Sequence, residues 1–385
     1  MTVENPLSES NRSFWRPTGA SASSIALVAL PGFLLGAYAP EIKNDLSFGD
    51  TELGLILTFG YLVSSIVMST FGGTADRRGP KQVLRYGVAI AAIAAFLTGV
   101  LGDTFILLLL FIGLNRVAEG IIHPATNSLI SSSVVLEKQG MAMAVKQSAV
   151  PFATALAGFA VPTFGGLIGW KGTFLLVAAL ALPAWLFIPS VSPTKKGTYS
   201  SRREMWRLSH LRLLALAGAF SAAAVVTVSG FLTTSAKNAG YSNGTAGLIL
   251  GLGGLLMILS RLSWGYLADR FHFDRFKAVS ASLLIGSVAF ILFAVESKVS
   301  IVVGSLFIFG IGWSWPGLAL LGIIENHRDE PGEATAIVQT SIRIGAMFAP
   351  LGFGLIADSF LSLIHISEPT RLLSIAYGVV CVKKK

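Results

Sequence analysis

Charge is scarce in this sequence. Only 13% of its 385 residues are Asp, Glu, Lys or Arg, and 53% are hydrophobic. A soluble domain carries about 25% charge, so a water-soluble globule of this length has no way to hide so much apolar surface. The net charge of +9 is therefore not read as a nucleic-acid footprint. The single cysteine, Cys381, excludes a disulfide framework. The sequence also has no P-loop, no cluster of metal-ligand residue types and no nucleophile–base pattern, which argues against an ATP-driven pump and against an enzyme. No cofactor or metal is expected. A cleavable signal peptide is missing too. Residues 1–20 carry Glu4, Glu9, Arg12 and Arg16, and the first apolar run is long and lacks a small-residue cleavage site.

Apolar runs are abundant instead. Eleven can span a bilayer as helices, since about 20 residues suffice. They cover roughly 21–40, 50–73, 83–101, 104–133, 139–164 and 169–189, then 210–235, 244–267, 276–296, 299–325 and 331–356. Every backbone polar group in such helices is satisfied internally, so the fold class is an all-α membrane protein. The polar, basic stretch 190–209 separates six spans (21–189) from five (210–358). Lys and Arg alternate in number from loop to loop. Seventeen fall on the side of the N-terminus and the 190–209 linker, among them Arg77, Arg78, Arg202 and Arg270; four, Lys43, Lys171, Lys237 and Lys298, fall on the other. The positive-inside rule places the N-terminal segment, 1–20, in the cytoplasm of a multi-pass protein of the inner (plasma) membrane.

An internal repeat is present. Gly72-x-x-x-Asp76-Arg77 recurs as Gly265-x-x-x-Asp269-Arg270, 193 residues later. Gly120-x-x-His123-Pro124 recurs as Gly312-x-x-Trp315-Pro316, and Gly140-x-Ala142-x-Ala144-x-x-Gln147 as Gly332-x-Ala334-x-Ala336-x-x-Gln339, both at 192. Three matches at nearly one offset indicate duplication, and parallel repeats are one of the plans used by secondary transporters.

The loop Gly72-x-x-x-Asp76-Arg77-x-Gly79-Pro80-Lys81 resembles the signature of the major facilitator superfamily. Its degenerate copy at Gly265, Asp269 and Arg270, the Arg116-x-x-x-Gly120 segment and Glu137-x-x-Gly140 resemble that family as well. Pro80 departs from it, standing where a basic residue is usual. The resemblance covers residues 20–358. It implies two pseudo-symmetric six-helix bundles, a central site, alternating access and a monomeric transporter of a small solute. Physically, Arg77 and Arg78 complement the negative end of the second helix, and Asp76 can accept from backbone N–H groups of a facing helix start. One reading makes these contacts a gate that breaks when the cytoplasmic side opens. The other gives the charges to topology alone.

Ionisable residues inside spans are costly and mark function. The fourth span carries Arg116, Glu119 and His123, the fifth Lys146 and Gln147, and the eleventh Gln339 and Arg343. At about 1.5 Å per residue, Arg116 and Arg343 lie near the membrane midplane. Arg116, Lys146 and Arg343 against Glu119 make a net positive cavity, suited to clamping an organic or inorganic anion. Alternatively Arg116 and Glu119, three apart, neutralise each other, and Lys146 snorkels to the interface. Glu119 and His123 share a face and are candidates for a coupling proton. Tyr38, Tyr61 and Trp315 are candidate cavity aromatics. Arg261 reads as structural. Gly158-x-x-x-Pro162 partly resembles the family's antiporter motif.

The expected function is secondary transport of a small anion, with proton coupling. The alternatives are a drug or metabolite efflux antiporter and a non-transporting membrane sensor of the same fold. The expected partners are the solute, a coupling proton and the lipid bilayer, with no nucleic acid. Pseudo-symmetry calls for twelve spans. After Asp358, Glu368, Pro369 and Arg371 interrupt the chain, and the last segment resembles translated adapter read-through. Residues 359–385 are thus expected to be non-native and to replace a twelfth helix.

Overall fold

The computed structural model describes residues 6–366 except 72–73, 190–208, 272, 294, 296 and 327–330. Every regular element among them is a helix, and ten helices are long and apolar enough to cross a membrane. One of the ten counts twice. Leu136–Leu186 (α7) breaks at Gly169, whose φ of 64° and ψ of −174° are open to glycine and strained for other residues. The fifth and sixth spans are its two parts, and the total is the eleven expected.

The other elements are α1 (Pro6–Ala37), a short α2 (Ala39–Leu46), α3 (Asp50–Phe71), α4 (Thr74–Arg78), α5 (Pro80–Leu101) and α6 (Phe105–Ser133). After α7 come α8 (Ser209–Asn238), α9 (Asn243–Arg270), α10 (Arg275–Phe293), α11 (Lys298–Phe307), α12 (Trp315–Asn326) and α13 (Pro331–Ile366).

Three elements differ from expectation. First, α1 is helical well before residue 21. Phe14 packs with Ile130, Val134 and Ala142, while Thr18, Ser21 and Ser24 are fully buried. Neighbouring helices, not water, cover this polar stretch, and the Ser24 hydroxyl donates to the Ala20 carbonyl at 2.7 Å. Second, the tenth span is not one helix. α11 widens into a π-turn, Ile308–Gly312, and restarts at Trp315. Pro316 lacks the N–H that a continuous helix would need there, and Gly312 packs directly on Gly286. Third, α13 runs to Ile366, beyond the expected end near 356. Residues 367–385, most of the expected non-native tail, lie outside the described residues.

The first six spans meet the last five along three seams made by small residues, which let helix backbones approach closely. A Cβ on Gly36 of α1 would lie 2.7 Å from the Ser229 carbonyl of α8. The Thr233 hydroxyl donates to the Gly36 carbonyl across the same seam. In α3, Gly54 abuts the Pro350 carbonyl of α13. In α7, Gly158 abuts Gly247 and Gly251 of α9. These contacts cluster toward the end of the molecule that holds α2 and the start of α3. There the Asp358 carboxylate of α13 accepts from the Asp50 N–H at 3.1 Å and the Thr51 N–H at 2.7 Å, capping α3 from the other half. Asn243 of α9 donates to Glu41 of α2 at 3.1 Å. The larger cavity lies toward the opposite end.

Candidate functional site

Arg116 is set in the middle of α6 by the space two glycines leave. A Cβ on Gly32 of α1 would overlap its Nη2, and one on Gly60 of α3 would lie 2.9 Å from its Cγ. The guanidinium is 5.1 Å from the Tyr61 ring centroid and donates to Glu119 Oε2 at 2.6 Å. Glu119 Oε1 lies 3.8 Å from His123 Nε2. Three sequence candidates thus form one chain along α6, as spacings of three and four require. Together with Tyr61, Leu57 and Ser229 they line a small cavity of about 70 Å³ at the seam of α1, α3, α6, α7 and α8.

Lys146, on α7, turns inward. It is 3% exposed and bonds Asn127 Oδ1 and, at 3.4 Å, the His123 carbonyl. Of its two expected positions, the interfacial one is not adopted. Arg343, on α13, lies within electrostatic reach of Glu119, Tyr61 and Arg116, and of His123 and Lys146. It makes no ion pair or hydrogen bond among the described residues. The structure therefore gathers Tyr61, Arg116, Glu119, His123, Lys146 and Arg343, from four helices, within electrostatic reach of one another.

Gln147, Gln339 and Trp315 face a second cavity of about 320 Å³, which shares Val150 with the first. Its walls also include Trp264, Trp313 and Arg261. The Trp315 N–H donates to Ser221 at 2.8 Å and the Trp264 N–H to Ser314 at 2.9 Å.

Lys146 and Arg343 line neither cavity. Nor does Tyr38, which lies apart from the cluster. It is fully buried where α1 meets α2, donating to the Ala160 carbonyl at 2.9 Å with Thr173 at 3.0 Å, so it ties α1 to both parts of α7. An aromatic one residue past the helix end points into packing rather than toward the central cavity.

Of the proposed gate, Gly72, Gly265 and the side chains of Asp76, Arg77 and Asp269 lie outside the described residues. Gly79 precedes α5 with a φ of 89°, Lys81 lies in the first turn of α5, and Arg270 is exposed at the end of α9. Sequence reasoning missed Asn127, although it stands four residues from His123 on the same face. It also missed Asn115, buried beside Arg116 with no partner for its amide among the described residues. Gly32 and Gly60 carried no signal, being two of 41 glycines.

Comparison with known proteins bears on this arrangement. A family model described as Major Facilitator Superfamily matches residues 22–360. An MFS-type efflux pump of Mycolicibacterium smegmatis is 24% identical over 371 residues, covering 90% of this chain and 85% of that protein. The quinolone resistance protein NorA of Staphylococcus aureus (strain COL) is 24% identical over 381 residues, covering 93% and 94%. Among solved structures, a bacterial homolog of the human lysosomal transporter Spinster, inward-facing and unoccupied, superposes with a TM-score of 0.75 at 18% identity. It covers 94% of this chain and 86% of that one.

Proposed function

The chain belongs to the major facilitator superfamily, and from that premise we propose that this transporter moves a small organic anion by alternating access, with Arg343 recognising the anionic group. The observation that carries the reading is a charge left over. Glu119 is the one carboxylate lining the central cavity among the described residues, and Arg116 engages it at 2.6 Å. Arg343 lies within electrostatic reach of this already engaged carboxylate without pairing to it, and Lys146 meets only the neutral Asn127 amide and the His123 carbonyl. One carboxylate set against two guanidiniums, Arg116 and Arg343, leaves a net positive low-dielectric site that favours an anion brought from outside, and a guanidinium can bind it through two parallel hydrogen bonds.

The seams at the α2 end and the cavity at the other end support an inward-facing state, as in the solved Spinster homolog. In that state the α2 end is outside and the 190–208 linker cytoplasmic, in keeping with the charge bias. The Glu119–His123 pair, 3.8 Å apart, is the candidate carrier of a coupled proton. Efflux of a drug or metabolite by antiport is the second reading. It is favoured by the names of both curated relatives and by Gly158 and Pro162 lying on the α7–α9 seam.

Counterflow in proteoliposomes against a panel of carboxylates, phosphates and lipophilic cations tests the proposal. Arg343→Ala is expected to abolish carboxylate exchange while inserting normally, and Arg343→Lys to recover little of it. Undiminished carboxylate exchange in Arg343→Ala, or exchange confined to the cations, overturns the reading.

A further inference from the structure

The larger cavity has a composition the central cluster does not account for. Three indoles, Trp264, Trp313 and Trp315, line it, with Gln147, Gln339 and Arg261 as its polar groups. Two of the indole N–H groups are committed to serines, so the partly exposed Trp264 offers it ring surface rather than a donor and Trp315 backs the wall. Trp315 stands perpendicular to Trp313, 6.1 Å away, and is 2% exposed, so it fixes from behind the partly exposed Trp313 ring that the cavity presents. Among the described residues Arg261 is the one cation in the lining, and no acid stands there to meet it. Its Nη1 donates to the Gln147 carbonyl at 3.1 Å, and its buried Nε has no partner among the described residues. A guanidinium restrained on one side by a neutral carbonyl, with an orphan N–H on the other, lacks an acceptor.

We propose that this cavity is a second, vestibular subsite for an aromatic carboxylate. The ring lies against Trp264 and Trp313, and the carboxylate accepts from Arg261 before passing to Arg343. This rests on the anion reading of the central cluster and narrows its substrate class. About 320 Å³ holds a one- or two-ring molecule, near the lower bound of typical ligand pockets. Val150 belongs to the walls of both cavities, so the two adjoin. On this proposal Arg261, expected to be structural, takes a binding role, because its described surroundings supply no countercharge.

The test is calorimetric titration of the full chain in detergent with 2-naphthoate, 2-naphthamide and cyclohexanecarboxylate. Two equivalents of 2-naphthoate are expected to bind the wild type, and one to bind either Arg261→Gln or Arg343→Gln. The amide is expected to bind neither site measurably. Arg261→Lys, which keeps the charge and guards against misfolding of the glutamine variant, is expected to weaken its site about tenfold through loss of the planar fork. Trp313→Ala is expected to weaken 2-naphthoate more than cyclohexanecarboxylate. Unchanged stoichiometry in Arg261→Gln, or equal binding of amide and carboxylate, overturns the subsite. If Arg343→Gln alone abolishes binding, the vestibular subsite falls and the central reading stands. If Arg261→Gln alone does so, the central reading falls instead.

Discussion

Arg116 shows how much of a site can rest on residues with no chemistry of their own. Its guanidinium occupies space that a methyl group at Gly32 would fill, and its Nε is left without a partner among the described residues. What holds the charge there is Glu119. Breaking a buried ion pair by removing one member leaves an uncompensated charge and costs roughly 3–5 kcal/mol, whereas removing both members is far milder. Glu119→Gln is therefore expected to lower thermal stability strongly, and Arg116→Met/Glu119→Gln to regain most of the loss. Melting curves of the single and double variants check this. Additive losses in the double variant would show that the two side chains are not coupled. The pairing was legible in the sequence because residues three apart on a helix are neighbours. The displacement of Tyr38 was not, since it depends on how α1 hands over to α2 and on the carbonyl that α7 presents at Ala160. Both signals are tertiary.

Individual helices in this protein are ordinary, but their breaks and ends carry information. The break in α7 falls at a glycine between two apolar runs and was readable as a span boundary. The π-turn after α11 was less so, because Pro124 at the equivalent place in α6 leaves that helix continuous while Pro316 does not. The difference follows from packing, with Gly312 pressed on Gly286 in one half only. The start of α3 is a further instance. Its first N–H groups are capped by Asp358, which belongs to the other half of the molecule. Hydrogen bonds to a carboxylate contribute about 1.5–3 kcal/mol each, and here they form only while α3 and α13 are together at this end. Asp358→Ala is thus expected to favour opening at the α2 end. Leu57→Cys, in the central cavity wall, reports it. An impermeant maleimide applied from that side is expected to label the double variant about tenfold faster than Leu57→Cys alone, and an equal rate would show that the cap does not hold the halves together.

At the scale of the whole molecule, the number of spans, their order and the duplication were legible because each rests on a quantity a single sequence contains: the length of an apolar run, the sign of a loop, the offset of a repeat. What joins the halves was not legible, since Gly36, Gly54 and Gly158 look like any other glycines until their partners across the seam are known. The same limit applied to the cavities, whose walls draw on spans far apart in the chain. Orientation is the remaining whole-molecule expectation, and it rests on charge alone. With seventeen Lys and Arg on one side and four on the other, translocating the basic 190–209 linker would carry Lys195, Lys196, Arg202, Arg203 and Arg207 across the bilayer against the bias that sets topology. The linker and the N-terminus lie on the same side of an even number of spans, so both are expected in the cytoplasm. Ser200→Cys in a background lacking Cys381 is expected to resist an impermeant maleimide in intact cells and to react after permeabilisation. Lys237→Cys, near the α8–α9 turn, is expected to react without it. Strong labelling of Ser200→Cys in intact cells would invert the molecule, and the larger cavity with its three indoles would then open to the outside.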